Sequence, residues 1–340
     1  MKSQHAHGMH RREFLSGLTL GGMAGLLGLH PRPVAAEPPP ETTRVRLVHA
    51  VGICRAPQYF AEELLQAEGF TEVHYLKEVG SVQTRRALAA GEADLSMTFV
   101  GPLVIQAETS DQTLLLAGVH IGCFVLVGTE RVRAIRDLKG KTVAVSDWEG
   151  SDHIFLASMA AYVGLDPRKE ITWVTHPQAE AVPLLVEGKI DAFMAFPPMA
   201  QELRAKQIGH VVVNSMMDRP WSQYFCCLVA ANRAFVQQHP VATKRALRAI
   251  FRGADLCARE PERVARFLVD KGYTTSYDYA LQAVQEIPYD KWREYDPEDT
   301  VRFYALRLHE SGMVKSSPQK LIAQGTDWRF LNALKQEMKA

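Results

Sequence analysis

The sequence predicts an α/β protein of two Rossmann-like halves, each a sheet covered by helices, joined by two strands that cross between them. Three observations carry this reading. Apolar strand-like runs alternate with amphipathic helix-like runs from Arg44 onward, a helix–Gly–strand–loop pattern recurs 97 positions apart, and two further strand-like segments bracket the second block. Strands alternating with helices at this spacing imply parallel βαβ units. A 340-residue chain with 47% hydrophobic and 23% charged residues is long enough for two domains or one bilobed unit.

Ahead of the first strand, Arg11 and Arg12 precede Phe14 and Leu15, and a weakly apolar, Gly-rich run extends from Gly17 to Leu29. A run of about a dozen residues is too short for a hydrocarbon core of ~30 Å, so it reads as a signal peptide. Val34, Ala35 and Ala36 are small, which places cleavage after Ala36 and leaves residues 37–43 as a flexible leader. The segment RREFL resembles a twin-arginine export signal, which implies passage through the twin-arginine translocase. An ordinary secretory signal with two arginines is the alternative. No lipid-attachment Cys closes the segment, so a soluble periplasmic protein is expected.

The signal peptide carries four of the 39 basic and one of the 38 acidic residues, leaving a mature chain with a net charge near −2. No basic block remains to neutralise phosphates, which argues against nucleic acid or lipid as partner. The cysteines are Cys54, Cys123, Cys226, Cys227 and Cys257, odd in number and without CxxC spacing, so neither a disulfide framework nor a metal site is expected.

In chain order, RVRLVHA alternates with a period of two and is rich in branched residues, hence a strand; Pro57 then opens a helix through Ala67 that Gly69 closes. TEVHYL reads as a strand, VQTRRALAA as a helix and ADLSMTF as a third strand. KTVAVS, a helix from Asp152 to Val163 ended by Gly164, EITWVTH and a helix into GKIDAFMAF repeat the plan. Aligning the blocks pairs Gly91 with Gly188, Asp94 with Asp191 and Phe99 with Phe196: helix closers, strand starts and strand-end loops where α/β sheets bind ligands. HIGCFVLVG from His120 and QYFCCLVAAN from Gln223 are the expected crossovers. The remainder reads as helical, over 240–258, 261–271, 277–286 and 297–311, with a closing helix before Ala340.

Four segments in this order, GICRAPQYFAEELLQAEGF, GSVQTRRALAAGEADLSMTFVGPLVIQA, IRDLKGKTVAVSDWEGSDHIFLASMAAYVGLD and LVEGKIDAFMAFPP, resemble the nitrate, sulfonate and taurine branch of ABC-transporter solute-binding proteins, with thiamine-precursor relatives. The resemblance covers nearly the whole mature chain. It implies a type II periplasmic binding fold with lobe 1 over 44–124 and 226–340, lobe 2 over 125–225, and a ligand in the cleft between them. It further implies a monomer without cofactor that closes on a small organic solute and meets an ABC permease and ATPase.

Several residues are expected to face that cleft. The loop 52–57 carries Cys54 and precedes Tyr59; Ser81 opens a helix, where a hydroxyl also serves as a cap. Thr98, Phe99 and Gly101 sit at a strand end where the resemblance implies ligand contacts. Trp148, Gly150 and Ser151 lie between a strand and a helix N-terminus, whose dipole favours an anion while Asp147, Glu149 and Asp152 oppose one. Phe196 and Pro197 mirror the first-half loop, and Trp221 and Tyr224 precede the return crossover. Such aromatics suit a ring or an apolar portion better than a bare inorganic ion. Phe99→Ala and Trp148→Ala are therefore expected to weaken binding without unfolding the chain. Cys54, Cys123 and Cys226 fall near the same loops but read as buried small hydrophobes, since no His spacing supports a metal.

Two other classes share this architecture. Pyrimidine synthases of thiamine biosynthesis carry a cysteine-rich motif that Cys226 and Cys227 match only vaguely, and neither GxSxG nor a Gly-rich phosphate loop is present. A sensor reporting its ligand to a membrane receptor would use the same cleft.

Overall fold

Strand β1 (Arg44–Ala50) buries Val45 and Leu47 in alternation, as its sequence predicts, and β2 (Glu72–Val79) pairs with it in parallel. The computed structural model describes residues 37–338, so the expected export segment with Arg11, Arg12, Phe14, Leu15 and Ala36 lies outside the described residues. Between these strands α1 (Ala56–Ala67) follows a 3-10 turn at Ile53–Arg55, with Pro57 in its first turn, where a missing N–H costs nothing. Then come α2 (Ser81–Ala90), β3 (Leu95–Phe99), α3 (Val100–Thr109), β4 (Thr113–Ile121) and β5 (Val125–Gly128). The second block supplies β6 (Thr142–Val145), α4 (Ser151–Tyr162), β7 (Thr172–Thr175), α5 (Gln178–Val186), β8 (Ala192–Ala195), α6 (Met199–Ala205) and β9 (His210–Asn214). Strand β10 (Phe225–Asn232) leads into α7 (Arg233–Gln238), α8 (Pro240–Arg259), α9 (Pro261–Asp270), α10 (Tyr277–Glu286), α11 (Pro297–Glu310), α12 (Pro318–Gly325) and α13 (Arg329–Glu337).

These strands form two five-stranded sheets, ordered β2-β1-β3-β10-β4 and β7-β6-β8-β5-β9. In each, one strand runs antiparallel to its neighbours: β10 between β3 and β4, and β5 between β8 and β9. Those two are the strands that enter each sheet from the other, as expected of crossovers. The internal repeat is structural. Gly91 and Gly188 both take φ +69°, a conformation that costs glycine little. Asp94 and Asp191 each accept a strand-start N–H, from Arg46 at 2.7 Å and Thr142 at 2.9 Å, and a guanidinium, from Arg46 and Arg131.

Four expectations need correction. Residues 120–128 are not one strand: the chain turns at Gly122, whose φ is +51° and whose missing Cβ would lie 2.4 Å from Met216 Cγ. The segment after Phe99 is not a loop, since Val100 begins α3 at once, and the apolar run that feeds β4 starts at Thr113, earlier than expected. The closing helix is two helices, interrupted where Thr326 bridges to Leu115 and Asp327 N–H donates to Leu115 O at 2.9 Å.

The helical tail packs on the first sheet. α8 turns Ala246, Leu247, Ile250, Phe251, Ala254 and Cys257 inward at helical spacing, and Gly253 lets it cross α1 closely, because a Cβ there would sit 2.3 Å from Pro57 O. Below the crossing, Asp255 accepts from Trp292 Nε1 at 3.1 Å and from both terminal nitrogens of Arg293 at 2.8 and 2.9 Å. Burial by itself would raise this carboxyl, but the bonds from Arg293 and Trp292 outweigh it and hold it below the usual carboxylate range. A depressed carboxyl contributes stability that is complete above its unfolded value near ~3.9 and is lost as pH falls through the folded value. Asp255→Asn should therefore lower the melting temperature at about pH 7, with the gap to the parent narrowing toward about pH 3 in paired thermal melts. A gap that does not change with pH would remove the carboxylate from this account.

Candidate functional site

The carboxyl ends of β1, β3, β6 and β8 and the turns beyond them enclose a cavity of about 700 Å³. Four helices present their N-termini to it, at Ser81 of α2, Ser151 of α4, Gln178 of α5 and Met199 of α6. Loops of the two sheets touch across its rim. Ile53 N–H donates to Pro197 O at 3.2 Å, Ser151 N–H to Ser81 Oγ at 2.9 Å and the Arg85 guanidinium to Glu149 O at 3.0 Å. Two glycines permit that approach: a Cβ on Gly80 would lie 2.6 Å from Asp147 Oδ2, and one on Gly52 would lie 3.2 Å from the Phe196 ring.

Aromatic rings form much of the wall. Tyr59 is fixed by donating its hydroxyl to Ala50 O and by stacking on Tyr273, with centroids 4.2 Å apart and planes 6° from parallel. His49 meets Tyr273 edge-on, and Phe124 sits edge-to-face with Phe99 and Phe196 at 5.4 and 6.0 Å. Polar groups interrupt this surface mainly on the second-sheet side. Burial pushes the Asp147 carboxyl up. Asp152 is raised too, its burial outweighing the N–H groups of Ser146 and His153 that it accepts. Glu202 and Gln178 complete this edge. On the first-sheet side, buried Arg55 turns Nη1 onto Val51 O at 2.7 Å.

Of the residues singled out in the sequence, Cys54, Tyr59, Ser81, Phe99, Ser151, Phe196 and Pro197 line this cavity. The others lie elsewhere. Thr98 is buried within β3, Gly101 packs against the Phe99 ring in the first turn of α3, and Gly150 caps α4. Trp148 is 57% exposed and stacks on His153 at 4.3 Å, outside the wall. Trp221 is buried among Phe155, Tyr162 and Phe303, and Tyr224 stacks on Phe303 at 3.9 Å, because a 3-10 turn at 221–223 carries both toward α11. Sequence reasoning missed Tyr273 and Phe124. Tyr273 arrives from the turn after α9, which nothing local marks as part of a binding surface, and Phe124 was hidden inside the segment taken for a continuous strand.

At the cavity floor Cys54, Cys123 and Cys227 come together with His120, all four buried, their donor atoms all within 4.8 Å of one another. A fourth thiol, Cys226, reaches Cys123 with 3.3 Å between sulfurs. His120 Nδ1 lies 3.1 and 3.0 Å from the carbonyls of Ile121 and Gly122, so it carries the proton there and Nε2 points to the sulfurs. Burial by itself would lower this imidazole, yet the Cys227 and Cys54 sulfurs outweigh it and raise it to about 10. Cys227 shifts the opposite way: hydrogen bonds from the Cys123, Cys226 and Cys54 thiols hold it well below the ordinary thiol range. His120 and Cys123 stand three apart around the Gly122 turn, but Cys54 and Cys227 come from separate segments, which is why the full ligand set was not visible in the sequence.

The model of the NMT1-like family matches residues 39–267, about two thirds of the chain. The chain belongs to that family. No curated protein matches the sequence. Among solved structures, the periplasmic nitrate-binding protein NrtA from Synechocystis PCC 6803 superposes with a TM-score of 0.75 at 14% identity, covering 89% of this chain and 90% of that one. The alkanesulfonate-binding protein SsuA from Xanthomonas axonopodis pv. citri, bound to MOPS, gives 0.67 at 18% identity over 86% and 100% of the two chains. The aliphatic sulphonate binding protein SsuA from Escherichia coli gives 0.64 at 16% over 82% and 91%. At such identities the likeness shows the fold: this NMT1-like chain has the periplasmic binding protein architecture. Among the described residues no helix is long and apolar enough to cross a membrane.

Proposed function

We propose that this NMT1-like protein is the solute-binding component of an ABC importer, working in the periplasm as a monomer after twin-arginine export. It captures a small organic solute between its two sheets, residues 44–124 with 226–340 forming one lobe and 125–225 the other, and presents it to a membrane permease and ATPase. The observation that carries this reading is the aromatic-walled cavity of about 700 Å³, which exceeds what a bare inorganic ion fills and suits a ring. Of the sulfonate-, pyrimidine- and aromatic-acid-like solutes that the family resemblance admits, the carboxyls of Asp147, Asp152 and Glu202 at its edge favour a ring bearing N–H donors, the pyrimidine kind. Capture without turnover is the expected behaviour.

A thermal-shift screen of protein stripped by unfolding and refolding tests this. At a hundredfold excess over its dissociation constant a ligand stabilises by ~2.7 kcal/mol, a rise of several degrees for a chain of this size. Aminopyrimidines are expected to give that rise, with sulfonates, nitrate and aromatic acids giving less. No shift from any member of the panel, or release of product, would overturn the reading.

A further inference from the structure

We infer that the cavity floor is a tetrahedral site for a thiophilic divalent cation, zinc first, held by the Sγ atoms of Cys54, Cys123 and Cys227 and by Nε2 of His120. The donor set has the composition of a closed Cys₃His zinc site. Zinc–sulfur bonds of ~2.3 Å and a zinc–nitrogen bond of ~2.0 Å place tetrahedral donors about 3.5–3.8 Å apart. The four donors here already lie within 4.8 Å of one another, so side-chain rotation alone closes the difference.

Rigid elements bring them there: the 3-10 turn at Ile53–Arg55, the end of β4, the Gly122 turn and β10. The imidazole is also oriented as metal-bound histidines are, with its second nitrogen on backbone carbonyls. That aims the buried Nε2 at the three sulfurs, with no geometrically sound hydrogen bond of its own among the described residues, so a cation placed between them would replace its proton and those of the thiols. Soft sulfur donors exclude magnesium and calcium.

Charge selects among the thiophilic ions. Three thiolates and a neutral imidazole around a divalent cation leave one net negative charge, and the buried guanidinium of Arg55, the residue after Cys54, supplies the compensating positive one. A monovalent ion would leave a second negative charge buried and unbalanced. The inference concerns the floor alone and holds whichever solute the cavity above it takes.

The test uses the full chain, kept reduced, stripped with a chelator and titrated with Co²⁺ as a spectroscopic probe and then with Zn²⁺. One cobalt per chain should appear with a thiolate-to-metal charge-transfer band and the strong visible bands of tetrahedral geometry, and zinc should abolish both. Cys227→Ser and His120→Ala should each weaken cobalt binding at least tenfold, whereas Cys257→Ser, a buried thiol outside the cluster, should leave it unchanged. Circular dichroism confirms that each variant is folded. Folded wild-type protein that gives only the weak spectrum of octahedral cobalt overturns the inference, as does equal loss in Cys257→Ser. Uptake of Cu⁺ without cobalt or zinc overturns the divalent assignment.

Discussion

Phe99→Ala should lower the unfolding free energy by about 3–5 kcal/mol, the usual cost of emptying a buried phenylalanine site. The ring is 1% exposed and touches Phe124 at 5.4 Å, Phe155 at 4.9 Å and Tyr304 at 5.3 Å between centroids, while its edge lies against Gly101. Because these neighbours belong to α3, α4, α11 and the crossover turn, no single one can move in to fill the gap. The sequence had suggested a cleft-facing side chain whose loss would spare the fold. The structure instead makes Phe99 both wall and core, so the substitution should weaken solute binding and stability together. Phe99→Leu, which keeps most of the volume, should lose under about 1.5 kcal/mol. Urea unfolding of the three proteins decides the matter: an alanine variant within about 1 kcal/mol of the parent would mean that the ring is not held as described.

The second large effect is expected at Glu68, far from the cavity. Its carboxylate is 4% exposed and accepts from Arg248 at 2.7 Å and Arg252 at 2.9 Å, tying the end of α1 to α8. Removing one partner of a buried ion pair costs about 3–5 kcal/mol, because the charge left behind has lost water as well as its counter-ion. Arg252 is half exposed and Arg248 also reaches Glu337 at 3.1 Å, so the low end, about 3 kcal/mol, is expected for Glu68→Ala. Glu68→Gln keeps an acceptor and should lose less. Equal losses in the two variants would show that packing, and not the charge, holds this corner.

The sheets and their covering helices were legible because burial writes a period into the sequence. Alternation marked β1, and Gly91 with Gly188 closed two helices at matching points of the repeat. What was not legible came from distance along the chain. Tyr273 joins Tyr59, and Cys227 joins Cys54, only because β10 and the helical tail return to the first sheet after the second is complete. Trp148 differs for another reason: a loop position beside a helix N-terminus says nothing about direction, and here the ring stacks on His153, whose Nδ1 also accepts the Glu149 N–H at 3.1 Å.

The rim contacts of Ile53 with Pro197, Ser81 with Ser151 and Arg85 with Glu149 bear on time as well as on shape. Each ties a loop of one sheet to a loop of the other, so a wider opening of the cavity has to break all three, and a solute that braces both sheets should slow that event. Solutes that fit well and poorly should then enter at similar rates but differ in how long they hold the two sheets together, so residence time, more than rate of capture, should set them apart.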